Sequence, residues 1–341
     1  MEQTTRWGIL STGKIARTFA ADLAHVPGAA LVAVGSRSEA AAQAFVDDLA
    51  AGGELAAGAA PPRAHGSYAA LVADPDVDVV YVASPHALHL EHARLAFEAG
   101  KHVLCEKPLA LSLAQAEELV ALAGRHDRFL MEAMWTACHP VVRAVVDGLH
   151  AGRFGAPRQL HADLGWKVEL PPTDRMFSRE LGGGSTLDMG VYVLTVAHLL
   201  LGEVRDLRAT ATLTDQGVDL DVAIAGRYAS TDGRGAVAAL TASMSAPTSR
   251  SAALATSTGR LELPAPFHHP AYAVWTPLDG EPERVEGSGP LLGRGYGNEA
   301  AEVGRCLAEG LRESPLVPHA QTLEIARQMD EVLAQVGVTY P

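Results

Sequence analysis

A chain of 341 residues exceeds what one hydrophobic core comfortably fills, so two domains are expected. With 48% apolar residues and ordinary glycine and proline, it is neither disordered nor fibrous. A formal net charge of −13 without any basic run excludes a general nucleic-acid or membrane-surface role, although a few local donors still suffice for a phosphorylated cofactor.

Residues 6–10 read as a first strand. Residues 14–23 then set Ile15, Phe19 and Leu23 at four-residue steps, one face of a helix. A second strand covers 31–34, and a second helix covers 38–49 with Ser38 as N-cap. Residues 50–63, rich in Ala, Gly and Pro, read as a surface loop. The strand at 77–82 ends in Ser84-Pro85-His86, and a helix over 89–99 stops at Gly100. A strand at 102–105, a helix over 112–125 and a strand at 129–131 complete this part. Strand–helix alternation of this kind implies a doubly wound parallel sheet, placed at residues 1–130.

The pattern then changes. Residues 140–149 are helical, and Gly182-Gly183-Gly184 opens an apolar helix over 185–201. Residues 204–275 are strand-like, with turn signals such as Thr231-Asp232-Gly233, and two helices near 298–310 and 321–335 close the chain. Residues 131–341 therefore read as an α+β domain on a mostly antiparallel open sheet. Cys105, Cys138 and Cys306 form no disulfide framework and lack metal-ligand spacing, so buried thiols are expected and no metal. The first strand begins too early for a secretory signal, and no apolar run approaches the roughly 20 residues of a membrane span, so a cytoplasmic protein is expected.

Gly8-Ile9-Leu10-Ser11-Thr12-Gly13-Lys14-Ile15-Ala16 follows the first strand and opens the first helix. It is a degraded G-x-G-x-x-G/A turn with Ser11, Gly13 and Ala16 at the glycine positions, where backbone amides approach a pyrophosphate. On its own the match is weak and reads rather as a plain strand–helix turn; its position after a strand and before a helix strengthens it. The second strand ends in Gly35-Ser36-Arg37-Ser38 without the carboxylate that holds a ribose 2′-hydroxyl in NAD readers. Arg37 and the serine hydroxyls suit a 2′-phosphate, so NADP is favoured over NAD. Ser84, Pro85, His86 and His89 stand at a strand end where a nicotinamide ribose is expected, although either histidine alone reads equally as a helix cap. In Leu104-Cys105-Glu106-Lys107-Pro108-Leu109 a lysine and a glutamate reach the carboxyl edge where open α/β sheets bind ligands. Lys107 there is a candidate proton-handling group.

Glu106-Lys107-Pro108 after a strand, with Gly182-Gly183-Gly184-Ser185-Thr186-Leu187-Asp188-Met189-Gly190-Val191-Tyr192 farther on, resembles the Gfo/Idh/MocA oxidoreductase family, whose first domain is a Rossmann fold. Phe129-Leu130-Met131-Glu132-Ala133-Met134-Trp135-Thr136 and the ending Val336-Gly337-Val338-Thr339-Tyr340-Pro341 are similar to its dimeric dihydrodiol dehydrogenase and NADP-dependent D-xylose dehydrogenase branch. The resemblance implies that Lys107 sits beside the nicotinamide and the reacting hydroxyl, with Glu106 near the cofactor. It implies that Asp188 and Tyr192, four apart, share one helix face pointing at Lys107. Many members carry histidine where Tyr192 stands, which puts an imidazole base at that position in doubt.

Oxidising an alcohol removes its hydroxyl proton as hydride leaves the same carbon. Tyr192 is the expected acid–base group, Lys107 the cation that favours its ionised form, and Asp188 the group that holds Lys107 or a substrate hydroxyl. A pocket between the domains is expected, lined by His86, Trp135 and Trp166, and the resemblance implies a homodimer formed through the open sheet. The leading expectation is an NADP-dependent dehydrogenase or reductase of an aldose or related polyol. Oxidation of trans-dihydrodiols and a non-catalytic cofactor-binding regulator are the alternatives.

Overall fold

The computed structural model describes residues 4–56, 58–171, 173–229 and 232–341, so Ala57 of the expected loop and Thr231 of the expected turn lie outside the described residues. The chain divides into two units: residues up to Cys138 with Leu291–Leu323, and His139–Pro290 with Glu324–Pro341.

In the first unit, β1 (Thr5–Leu10), β2 (Ala29–Gly35), β3 (Arg63–His65), β4 (Val79–Val82), β5 (His102–Glu106) and β6 (Leu130–Ala133) pair in parallel, in the order β3-β2-β1-β4-β5-β6. This is the doubly wound Rossmann order, and its switch point between β1 and β4 opens a crevice beyond the strands' carboxyl ends. Between the strands run α1 (Lys14–Leu23), α2 (Glu39–Ala51), α3 (Tyr68–Val72), α4 (His89–Glu98), α5 (Leu113–His126) and, after β6, α6 (Trp135–Cys138). Ser38 caps α2 by accepting from the Ala41 amide at 3.3 Å, as its position before the apolar pattern led one to expect. Phe19 of α1 stacks on Tyr81 of β4 with ring centroids 3.8 Å apart, fixing the first helix on the sheet.

β3 lies inside the segment read as loop. It is only three residues long and lacks an apolar run; its strand form comes from pairing with β2 and from Asp74, which accepts hydrogen bonds from Arg63 and makes one with His65. All three cysteines are buried.

The second unit contains α7 (Pro140–His150), β7 (Pro157–Gly165), α8 (Val191–Leu201), β8 (Val204–Leu213), β9 (Asp219–Tyr228), β10 (Ala236–Ser243), β11 (Ala252–Thr256), β12 (Gly259–Leu263), β13 (Ala273–Pro277) and β14 (Glu283–Val285). The sheet order is β14-β13-β12-β11-β7-β10-β9-β8, antiparallel except where β7 meets β10. α8 packs against β7 and β10. Along β10 the residues Ala236, Ala238 and Leu240 are buried, whereas Val237, Ala239 and Thr241 face outward, so the opposite sheet face is open. The helix expected from Ser185 begins only at Val191. Before it, Thr186–Gly190 forms a wide π-turn in which the Val191 amide donates to the Thr186 carbonyl.

A single cut at residue 130 does not describe the division either, because residues 291–323 belong to the first unit. Here α9 (Tyr296–Ala308) packs on α1 and α6. Asp22 at the end of α1 accepts from the Arg294 and Tyr296 amides at 2.7 and 3.0 Å. The Leu130 amide donates to the Arg312 carbonyl at 3.1 Å. The last helix, α10 (His319–Val336), is shared between the units. Such long-range partners leave no trace in local periodicity.

Candidate active site

At the β1 edge the backbone adopts the glycine-type turn that the sequence only half spells out. Ser11, at the first glycine position, has φ of +89°, a region L side chains rarely occupy. Gly13 is the N-cap of α1 with no side-chain cap, no acidic residue follows in the first turn, and a Cβ built on it would meet nothing within 4 Å. Packing therefore does not demand glycine there; the space lies in front of open helix amides that suit a phosphate. Thr12 and Ser36 hydroxyls lie 3.3 Å apart where β1 and β2 end. Lys14 and Arg37 are exposed and hold no ion pair among the described residues. Ile15 is half-buried beside them. This donor set, cationic and free of carboxylates, fits the phosphates of a dinucleotide.

The next two strand ends bring Ser84, Pro85, His86, Glu106 and Lys107 to the same edge, because β4 and β5 are paired neighbours. Glu106 is buried; it accepts from the Tyr81 hydroxyl and from the Lys107 amide at 3.2 Å. Lys107 is half-buried. His86 is buried with its ring 5.7 Å from that of His89.

His89 departs from its expected cofactor role. It is fully buried, with Nε2 2.9 Å from the Ser84 carbonyl oxygen and Nδ1 3.0 Å from that of Pro108. Burial pushes its pKa down to about 4. The ring is spent on joining the end of β4 to the loop after β5.

Glu132, at the end of β6, does the same from the other side. It accepts from the Leu109 amide at 3.0 Å and the Thr322 hydroxyl at 2.9 Å, and burial raises its carboxyl to about 7 despite those donors and the nearby Lys107 charge. Trp135 is buried and stacks on Tyr296 at 4.2 Å, so it joins α6 to α9. Glu299 of α9 is also fully buried; both its carboxyl oxygens lack a hydrogen-bond partner among the described residues, and burial with Glu106 and Asp22 nearby holds it well above the usual carboxylate range.

In the second unit one carboxylate organises the triple-glycine segment. A single oxygen of Asp219 accepts from the Ser185 hydroxyl, the Thr186 amide and the Thr186 hydroxyl at 2.6–2.7 Å, and burial raises its pKa in spite of them. Gly184 has φ of +114°, and a Cβ there would come within 2.4 Å of Asp219. The Tyr340 hydroxyl donates to the Gly183 carbonyl at 2.6 Å, which gives the chain's last residues a structural task.

The π-turn so anchored carries Asp188, which is buried with the Arg175 guanidinium 4.0 Å away. Tyr192, in the first turn of α8, is 6% exposed, and its ring lies 5.0 Å from that of His268. Trp166, just beyond β7, is 38% exposed rather than part of a core.

The sequence reading missed Glu132, Glu299, Asp219, Arg175 and His268. Glu132 lay inside a stretch already singled out, and a charge within an apolar strand was its signal. The others are isolated in sequence from the motifs they serve.

A family model described as "Oxidoreductase family, NAD-binding Rossmann fold" matches residues 5–134, and a GFO/IDH/MocA C-terminal domain model matches residues 142–262. The chain is 33% identical to a trans-1,2-dihydrobenzene-1,2-diol dehydrogenase of Xenopus tropicalis over 99% of each. It is 34% identical to a D-xylose 1-dehydrogenase (NADP(+)) of Hypocrea jecorina over 99% of this chain and 93% of that one. Among solved structures, KijD10, a 3-ketoreductase from Actinomadura kijaniata in complex with NADP and TDP-benzene, is similar with a TM-score of 0.80 at 27% identity, covering 98% of both chains.

Proposed function

The chain belongs to the Gfo/Idh/MocA oxidoreductase family, and from that premise we propose that it moves hydride between NADP and a hydroxyl-bearing carbon of an aldose or related polyol. The observation that carries the cofactor choice is the end of β2, where exposed Arg37 and the buried Ser36 beside it stand in place of a carboxylate. The open amides after Gly13, with Ser11, Thr12, Lys14 and Ile15, suit the pyrophosphate. Ser84, Pro85, His86 and Glu106 suit the nicotinamide ribose end; His89 supports them rather than binding.

NADP, when bound, supplies the hydride acceptor for oxidation or the donor for reduction. Lys107 polarises the reacting oxygen, Tyr192 takes or returns its proton, and Asp188, steadied by Arg175, holds a neighbouring hydroxyl. Exposed Trp166 offers a ring face to a sugar, whereas His86 is buried and Trp135 is buried with one face given to Tyr296, so these two would line the pocket from beneath. The same lining suits an arene diol, and the first of the relatives above favours that as the second reading.

The second unit's sheet supports a homodimer. Its open face carries a patch of small and apolar residues, Ala223, Ala225, Val237, Ala239 and Thr241, bordered by His161, Asp163 and Arg208, which a second copy would cover. Sedimentation equilibrium returning the mass of one chain would contradict this.

The functional reading is tested by reduced-nicotinamide absorbance with a panel of aldoses, polyols and trans-diols, each with NADP+ and NAD+. Turnover of at least one aldose, faster with NADP+, is expected. Tight NADP+ binding with turnover of nothing in the panel would overturn it.

A further inference from the structure

A buried phenol that acts as a base needs somewhere to send the proton it already carries. An ordinary phenol ionises near pH 10, so near neutrality it takes a substrate proton only while giving up its own. An imidazole, which ionises near 6.5, is the side chain best suited to receive that proton. The second unit places imidazoles beside Tyr192 that no sequence motif indicated.

The His268 ring lies 5.0 Å from the Tyr192 ring at 48°, and the His269 ring lies 4.5 Å from His268 at 88°. Tyr192 is buried, while His268 and His269 are both half-buried, so the imidazoles are partly open to solvent where the phenol is not. The loop bearing them is fixed. Phe267 is fully buried and its amide donates to the Arg250 carbonyl at 2.8 Å, and the His269 amide donates to the Pro266 carbonyl at 3.0 Å. Burial also lowers the pKa of His269, which therefore passes a proton on rather than storing it, and holds a nearby imidazole, His139, at about 4.

We propose that His268 accepts the proton of Tyr192 as Tyr192 takes the hydroxyl proton of the substrate, and that it hands this proton on through His269 to water. The inference rests on the reading of Tyr192 as the acid–base group. In oxidation the substrate O–H breaks and its proton goes to the Tyr192 oxygen. The phenolic O–H breaks and its proton goes to an imidazole nitrogen. The carbon's C–H pair leaves as hydride to the oxidised nicotinamide, and the carbonyl forms. The imidazolium then loses its proton to water, and reduction runs the steps backward. His268 is assigned a role through Tyr192 rather than on the substrate, with the proton crossing between the rings directly or over one water.

The test uses the full-length enzyme with NADP+ and the aldose it turns over fastest. His268→Ala is expected to lower kcat about 100-fold, with KM changed less than about threefold. Added imidazole should restore at least about tenfold of the loss, and more basic substituted imidazoles should restore more. His268→Gln, which keeps the bulk without the base, should be as impaired as the alanine variant. Imidazole should rescue nothing in the Tyr192→Phe/His268→Ala double variant.

A kcat for His268→Ala within threefold of wild type, with Tyr192→Phe crippled, overturns the relay and leaves the reading of Tyr192 standing. A His268→Gln variant as active as wild type overturns the relay too. Full activity in Tyr192→Phe overturns the acid–base reading itself.

Discussion

The two units hold their proposed chemical groups in opposite ways. Lys107 follows a strand, and the backbone around it is pinned by neighbouring elements: His89 at the start of α4 reaches the Pro108 carbonyl, and Glu132 of β6 takes the Leu109 amide. Tyr192 stands on a helix whose entry depends on one distant carboxylate, Asp219 of β9, and on Tyr340 near the end of the chain. A group placed by sheet topology inherits the rigidity of the sheet. A group placed by a few long-range anchors is only as secure as those anchors.

The comparison breaks most readily at Asp219. Asp219→Ala strands the Thr186 amide and two hydroxyls in a buried site, which should cost about 3 kcal/mol in denaturant unfolding and lower turnover as well. If stability and turnover stay at wild-type levels, the helix entry is held by something else and the contrast fails.

A smaller effect confined to the first unit comes from Arg37→Asp, which should weaken NADP+ binding by about 2 kcal/mol, roughly 30-fold, and leave NAD+ affinity alone. Equal loss for both cofactors in titration calorimetry would show that Arg37 does not read the 2′-phosphate.

The smallest effect concerns Glu132. Burial raises its folded-state pKa from 4.5 to about 7, so the folded protein keeps a proton that the unfolded chain has already released. That contribution is full below about pH 4.5 and is lost as the pH rises to about 7. Glu132→Gln, which cannot lose the proton, should gain on the order of 1–2 kcal/mol relative to wild type across that window. Parallel stability–pH curves for the two proteins would contradict the buried, proton-holding carboxyl.

The same contrast explains what the sequence made legible. In the first unit the strand–helix alternation, the Ser38 cap and the edge residues Ser84, Glu106 and Lys107 all follow from local pattern plus a known sheet order. In the second unit Gly182–Gly184 announced that something tight occurs, but not the π-turn, because its cause is Asp219 more than thirty residues later. The docking of residues 291–323 beside α1 was invisible for the same reason, since Asp22 and Glu132 find their partners only in the folded chain. His89 shows the converse failure: its position beside a strand end suggested a ligand, and its burial made it a brace.

The central claim is that Lys107 serves the chemical step. It is tested most directly by single-turnover rates of Lys107→Met with NADP+ and the best aldose, beside the variant's NADP+ affinity. A rate lowered about 1,000-fold with affinity within about threefold of wild type is predicted. A near-normal rate would contradict the account.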